Sequence, residues 1–139
     1  MTRLCGECVA CCRAVAVTAL QKRAGTTCTH CSNGCTVYDT RPAECAEYVC
    51  LWLEGFGEDE NRPDKLGAII DVHRTGCGSV IMFHKLRDVI VNAPEMSNLP
   101  YAVVETDGVS TTLFTPASWS KFRRGRFIKA FKKIDTRIP

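Results

Sequence analysis

The residues of this chain that could do chemistry are its cysteines, ten of them in 139 residues. Nine lie within residues 5–50, and four occupy the octapeptide CGECVACC at residues 5–12. A cysteine count of this kind has two common meanings, a disulfide framework or a thiolate metal site. Adjacent cysteines such as Cys11 and Cys12 rarely bond to each other, because a disulfide needs a specific dihedral angle. The spacing therefore favours a metal site.

The beginning of the chain indicates the compartment. A secretory signal needs an apolar run of roughly 7–15 residues. The segment MTRLCGECVACCRAVAV is instead broken by Gly6, Glu7 and Arg13. No stretch of the sequence is long and apolar enough to predict a transmembrane segment. We therefore expect a cytoplasmic protein whose thiols stay reduced, which again favours metal over disulfides.

The predicted metal ligands are the nine clustered cysteines, Cys5, Cys8, Cys11, Cys12, Cys28, Cys31, Cys35, Cys45 and Cys50. In C-x-x-C, a tight turn brings two thiolates within reach of one ion, and zinc takes four such ligands tetrahedrally. Eight thiolates suffice for two sites, so we expect two Zn²⁺ per chain, with Cys31 and His30 as surplus candidates. Cys12 is expected to point away from Cys11, so that the crowded loop serves more than one centre. Iron–sulfur clusters use similar spacings, and iron or an iron–sulfur cluster is the alternative cofactor.

Three segments together resemble a known family. They are CGECVACC at residues 5–12, CTHCSNGCTVYDTRPAEC at residues 28–45 and VCLWL at residues 49–53. Their cysteine order and the Y-x-x-R-P element resemble the YkgJ-type CxxCxxCC family of zinc- or iron-chelating domains. The resemblance covers about the first 50 to 65 residues and implies metal binding without an assigned physiological activity. The chain departs from the pattern in its final C-x4-C spacing and in the additional Cys31.

Positive side chains are expected near the thiolates. Two Zn²⁺ held by eight thiolates leave a net charge of about −4, and burying that charge requires cations or N–H donors. The cations within the cysteine segment are Arg13, Lys22, Arg23 and Arg41. Arg41 and Pro42 belong to the Y-x-x-R-P element, where Pro42 would fix the backbone before a helix.

The sequence predicts an α+β fold in two parts. Residues 1–62 carry a net charge of −2 and predict an irregular, cysteine-rich, metal-nucleated module with short helices, one of them spanning PAECAEYVCLWLE from Pro42. Residues 63–139 carry +5 and predict a small antiparallel β-sheet followed by a C-terminal helix. The predicted strands are Leu66–Val72, Ser79–Phe83, Tyr101–Glu105 and Thr111–Thr115, with a hairpin turn at Asp107-Gly108. We expect the two parts to pack as one domain.

The C-terminal helix is predicted over WSKFRRGRFIKAFKKI, with Ser118 as its cap. Its apolar stripe comprises Phe127, Phe131, Ile134 and Ile138. Eight Lys/Arg lie between Lys121 and Arg137. The sequence favours a packed helix with a solvated basic face, and nucleic acid or an anionic membrane surface is the alternative partner.

No catalytic constellation is recognisable. The chain has no nucleotide-binding glycine loop, no H-E-x-x-H and no nucleophile elbow. His73 and His84 lie in strand-like segments and Cys77 in a glycine-flanked turn, so we expect passive roles for them. A closed four-thiolate site favours structure over catalysis. The predicted function is therefore structural metal binding. The alternatives are an iron–sulfur redox or modifying protein, a metal chaperone or sensor, and a module that binds a protein or nucleic acid through the basic helix.

Overall fold

The computed structural model describes residues 3–91 and 98–135. Its helices are α1 (Ala10–Ala14), α2 (Ala43–Glu47), α3 (Pro63–Leu66) and α4 (Lys121–Ile134). Its strands are β1 (Ala68–Thr75), β2 (Gly78–Lys85), β3 (Tyr101–Val104) and β4 (Thr111–Phe114). Short 3-10 turns at Thr18–Leu20, Tyr38–Thr40 and Asp59–Asn61 complete the regular structure. The α+β class and the C-terminal helix predicted from the sequence are confirmed.

The four strands form one sheet in the order β1-β2-β3-β4. The β1–β2 and β3–β4 pairs are antiparallel, as predicted, and the second pair is joined through the Asp107-Gly108 turn. The prediction of a wholly antiparallel sheet is wrong, because β2 and β3 pair in parallel. Parallel neighbours need a connection that returns the chain to the end at which the first strand began.

The helix predicted from Pro42 is shorter than expected. It begins at Ala43 but ends at Glu47, since Tyr48 has extended backbone angles (φ −71°, ψ 124°). Beyond it, the Leu51 N–H donates to the Ile70 carbonyl at 2.8 Å. The segment therefore leaves the helix to lie beside β1, because tertiary contacts outweigh its helical propensity.

The cap of the C-terminal helix α4 lies two residues later in the sequence than predicted. The hydroxyl of Ser120, rather than Ser118, accepts the Arg123 N–H at 3.1 Å. Two residues of the predicted stripe, Phe127 and Phe131, are buried to 1% and 0% exposure. They pack on one face of the sheet with Val80, Met82, Ala102, Val104 and Trp119. Ile134 stays 48% exposed, and Ile138 and Arg137 lie outside the described residues.

A second core joins the cysteine-rich residues to the sheet. Ala10, Ala14 and Cys50 pack against Ile69 of β1 and Leu86. The backbones of the two parts also lie close together at Gly108, where an added Cβ would lie 2.3 Å from the carbonyl of Ala24. The contacts between the two predicted parts are thus extensive in this structure.

The length and hydropathy of a helix determine whether it can cross a bilayer. No helix among residues 3–91 and 98–135 is long and apolar enough to cross a membrane.

Candidate metal centre

Eight cysteines converge on one cavity of about 260 Å³, which we call the cysteine cavity. They are Cys5, Cys8, Cys11, Cys12, Cys28, Cys35, Cys45 and Cys50. They come from four separate stretches of chain: the first loop with α1, the loop of residues 28–35, α2 and the extended segment after it. The eight are those that the sequence assigns to two four-ligand sites.

Four of these thiols form an inner group, consisting of Cys5, Cys8, Cys11 and Cys50. A tight turn pairs the first two, since the Cys8 N–H donates to the Cys5 carbonyl at 2.9 Å. Cys8 and Cys11 pack against the second core, which includes buried Cys50. Burial raises the pKa of Cys5, and the nearby thiols of Cys8 and Cys50 raise it further. The inner group therefore lines the cavity beside the apolar core.

The remaining cavity thiols, with Cys31, form an outer group consisting of Cys12, Cys28, Cys31, Cys35 and Cys45. The Cys28 N–H donates to the Cys12 carbonyl at 2.8 Å, which ties the second loop to α1. Within that loop, Cys31 and Cys35 form a β-bridge. Burial raises the pKa of Cys45, and the nearby thiols of Cys12, Cys28 and Cys35 raise it further. Four of the five outer thiols line the cavity, and Cys31 does not.

The carboxylate of Glu44 fixes the position of α2, and hence of Cys45, in this group. It accepts the backbone N–H groups of Thr18 and Ala19, each at 3.0 Å. These two donors lower the pKa of Glu44. The 3-10 turn at Thr18–Leu20 thus holds the start of α2 against the wall of the cavity.

The two groups meet at the adjacent pair Cys11 and Cys12. The interaction between the two adjacent thiols lowers the pKa of Cys11 and raises the pKa of Cys12. The prediction that Cys12 points away from Cys11 is therefore wrong, because both side chains turn toward the same cavity. The pair still links two groups of sulfurs.

Two of the four predicted cations line the cysteine cavity. Burial lowers the pKa of Lys22. The nearby thiols of Cys28, Cys12, Cys11 and Cys45 offset part of this effect. The Lys22 Nζ donates to the Val15 carbonyl. Arg41 also lines the cavity, and its guanidinium stacks 3.9 Å from the centre of the Tyr38 ring.

The other two predicted cations do not line it. Arg13 donates to the Leu86 carbonyl at 3.1 Å, a contact that joins α1 to the end of β2. Arg23 is exposed. Of the four cations that lie near the cysteines in the sequence, only two therefore line the cavity.

The donor set fits a thiophilic metal ion in its chemistry. All ten cysteines lie within the described residues, and all ten are free thiols. Thiolates are the ligands that zinc and iron–sulfur clusters prefer. As the side chains stand, no three His, Cys, Asp or Glu residues among residues 3–91 and 98–135 are arranged to hold a metal ion. The thiols share one cavity but would have to close on an ion.

The surplus candidates lie at the margin of the site. Cys31 does not line the cavity, although it has a hydrogen bond with Cys12. The His30 ring is also absent from the lining, but its backbone N–H donates to Cys28 Sγ at 3.4 Å. Cys77 is exposed and remote, and its Sγ lies 3.9 Å from the Arg126 carbonyl.

A buried polar network behind the cavity was not predicted. Tyr48, a cavity-lining residue, donates its hydroxyl to Asp71 Oδ2 at 2.6 Å, and His84 Nε2 lies 3.0 Å from the same oxygen. Burial works to raise the pKa of Asp71, but the contacts with His84 and Tyr48 lower it overall. The signal in the sequence was the polar residues within the apolar strands AIIDVHRT and GSVIMFHK.

Comparisons with protein-family models, curated proteins and solved structures found no significant match. The account of the site therefore depends on the chain's own residues, and the YkgJ-type resemblance stays a prediction.

Proposed function

We propose that this chain binds two zinc ions through the thiolates of the cysteine cavity, and that the ions hold residues 3–62 in their fold. The observation that carries the proposal is the convergence of eight free cysteines from four stretches of chain on one cavity. The YkgJ-type pattern supports it. A closed four-thiolate site has no open position for a substrate, so the proposed role is structural.

The sparse interior of this region supports a structural role for the ions. Among residues 3–62, the buried hydrophobic residues are Ala10, Ala14, Val17 and Cys50. Such small side chains bury little apolar surface, and burial contributes only about 25 cal/mol per Å². Structural zinc contributes roughly 10–16 kcal/mol to the folding of small metal-binding peptides. Metal binding would therefore be the main source of stability here.

We propose one ion for each group of thiols. The inner group supplies four ligands, which is the number that zinc takes in a structural site. The outer group has five thiols, and Cys31 is the one outside the cavity lining. The proposal therefore makes Cys31 a neighbour of the second site rather than a ligand. Lys22 and Arg41 offset part of the excess negative charge.

Elemental analysis of the protein purified without added metal tests the proposal. We expect two equivalents of zinc per chain. Cys8→Ser in the inner group and Cys45→Ser in the outer group should each remove one equivalent. Cys31→Ser and the remote Cys77→Ser are matched controls and should retain two. Metal-free protein, or zinc lost equally from all four variants, would contradict the proposal.

An iron–sulfur cluster is the second candidate. The triple C-x-x-C-x-x-C spacing and the N–H donated by His30 to Cys28 Sγ favour it, because hydrogen bonds to sulfur tune such clusters. Anaerobic purification distinguishes the two candidates. A brown protein that absorbs near 400 nm with iron and sulfide would support the cluster, and a colourless zinc protein would support the first proposal.

A metal chaperone or sensor is a third use of the same cavity. It would release its ion while staying folded, whereas a structural site would unfold on chelation. The free thiols are consistent with the expected reducing, cytoplasmic setting. Fractionation that finds the protein in an oxidising compartment would contradict that part of the proposal.

A further inference from the structure

The solvent-facing side of α4 is a continuous basic surface. All seven Lys/Arg between Lys121 and Lys133 are exposed, and the helix contains no Asp or Glu. The ion pairs shown within residues 3–91 and 98–135 are Arg62–Asp64, His84–Asp71 and Lys85–Glu105, none of them on α4. The charge of this surface is therefore not neutralised by those contacts, and it is suited to a polyanion.

Aromatic rings add a second property to this surface. Phe122 is 75% exposed, although other aromatic side chains of the same helix are buried. The Arg126 guanidinium lies 5.8 Å from the centre of its ring. On the flank, Arg123 stacks 4.3 Å from the centre of the Trp119 ring. Stacking orients a guanidinium and leaves its N–H groups free to bind phosphate.

The way in which α4 packs distinguishes between polyanions. A helix that enters a membrane surface buries an apolar face in the lipid. The apolar face of α4 is already used, since Phe127 and Phe131 are 1% and 0% exposed against the sheet. Only one aromatic ring remains amid cations, which is the arrangement that binds unpaired bases by stacking and phosphates by charge.

We propose that the exposed face of α4 binds single-stranded nucleic acid, with Phe122 stacking on a base and flanking Lys/Arg side chains contacting phosphates. The flanking cations on this face are Lys121, Arg126, Lys129, Lys132 and Lys133. The inference does not depend on the metal in the cysteine cavity. It replaces the solvated face that the sequence favoured, because the sequence did not show that Phe122 stays exposed instead of packing inward.

Fluorescence anisotropy with the full-length protein tests the proposal. The probes are a fluorescein-labelled 20-nucleotide oligo(U) RNA and a 20-base-pair DNA duplex, titrated between 50 and 200 mM salt. We expect the single strand to bind more tightly than the duplex. Its log–log salt slope should be about −3, since each phosphate contact contributes roughly −0.7.

Variants separate stacking from charge. Phe122→Ala should weaken binding of the single strand about fivefold or more, and Phe122→Trp should retain it. Lys129→Gln with Lys133→Gln should weaken binding at least tenfold at low salt and reduce the slope by about 1.4. The matched control, Arg23→Gln with Lys65→Gln, removes the same charge from two exposed side chains outside α4 and should change affinity less than threefold.

Four outcomes would overturn the proposal. They are no binding at 50 mM salt, equal affinity for strand and duplex, no effect of Phe122→Ala, and an equal loss in the control variant. Vesicles containing phosphatidylserine provide a further arm. Binding to vesicles without binding to oligo(U) would also overturn it.

Discussion

The two parts of the described chain have different interiors. Residues 3–62 bury four hydrophobic residues, three of them Ala or Val and the fourth Cys50. Residues 63–135 bury large side chains, including Phe83, Trp119, Phe127 and Phe131. In the second part, strands and a helix hide apolar surface in the usual way. In the first part, eight cysteines line a cavity beside a core with few buried apolar side chains.

This difference explains why the two parts are joined as they are. The cysteine region contributes Ala10, Ala14 and Cys50 to a core that also needs Ile69 and Leu86 from the sheet region. Neither core is large. A region with few buried apolar groups gains stability by packing against a sheet that is stabilised by its own contacts. We therefore expect the cysteine region to depend on the sheet region more than the reverse.

Metal removal should break the comparison most strongly. Chelation is expected to unfold residues 3–62, because zinc would supply most of their folding free energy, roughly 10–16 kcal/mol in small peptides. Residues 68–134 should keep their structure. Hydrogen exchange followed by mass spectrometry reports the two regions separately, with chelator presaturated with zinc as the control. Equal loss of protection in both regions, or none in either, would contradict the comparison.

Truncation of Phe131 should affect the other side of the comparison. This side chain is fully buried, and Phe131→Ala is expected to lower the free energy of unfolding by about 3–5 kcal/mol. The zinc content should not change, because no cavity thiol belongs to that core. Urea denaturation and elemental analysis measure the two effects. Phe122→Ala, on the exposed face of the same helix, is the matched control and should stay within about 0.5 kcal/mol.

The backbone contact at Gly108 sharpens the comparison, since it joins the two parts. Gly108 has φ +72°, and a Cβ there would lie 2.3 Å from the Ala24 carbonyl. Gly108→Ala is therefore expected to cost about 2–4 kcal/mol through strain and a clash.

The control for this change is Gly76→Ala, where an added Cβ meets nothing within 4 Å. Urea denaturation should show little change for it. Hydrogen exchange in Gly108→Ala should increase around residues 23–25 as well as in the β3–β4 turn. An increase confined to the turn would show that the contact does not stabilise the cysteine region.

The sequence predicted those features that depend on local chemistry. The strand compositions and the Asp107-Gly108 turn located β1 to β4 to within a few residues, because strand pattern and turn type are local properties. The stripe of Phe127 and Phe131 located the buried face of α4. The choice of eight cysteines without Cys31 matches the lining of the cavity.

Features that depend on distant contacts were not predictable. The parallel pairing of β2 and β3 depends on the path of the chain between Lys85 and Tyr101, which no local pattern encodes. The early end of α2 depends on Tyr48 reaching Asp71 on a strand 23 residues away. The division of the thiols into two groups likewise appears only when the loops are folded together.

The Tyr48–Asp71–His84 network tests the boundary between the two parts with the smallest expected effect. Asp71→Asn should lower the free energy of unfolding at pH 7 by about 1.5–3 kcal/mol, the usual range for hydrogen bonds to a charged group. The pKa of Asp71 in the folded protein lies below its ordinary value of 3.8. Its carboxylate therefore contributes stability that is fully present above about pH 4 and is lost as the pH falls through the folded pKa.

Acid titration checks this sign. Fluorescence of Trp119 in a Trp52→Phe background follows unfolding of the sheet region alone, so that release of zinc in acid does not enter the signal. The difference in stability between the parent and Asp71→Asn should persist from pH 7 to about pH 4 and should shrink below it. A difference that grows below about pH 4 would mean that the carboxyl group is better accommodated in its neutral form, and the contacts from His84 and Tyr48 would then not be the ones that stabilise this junction.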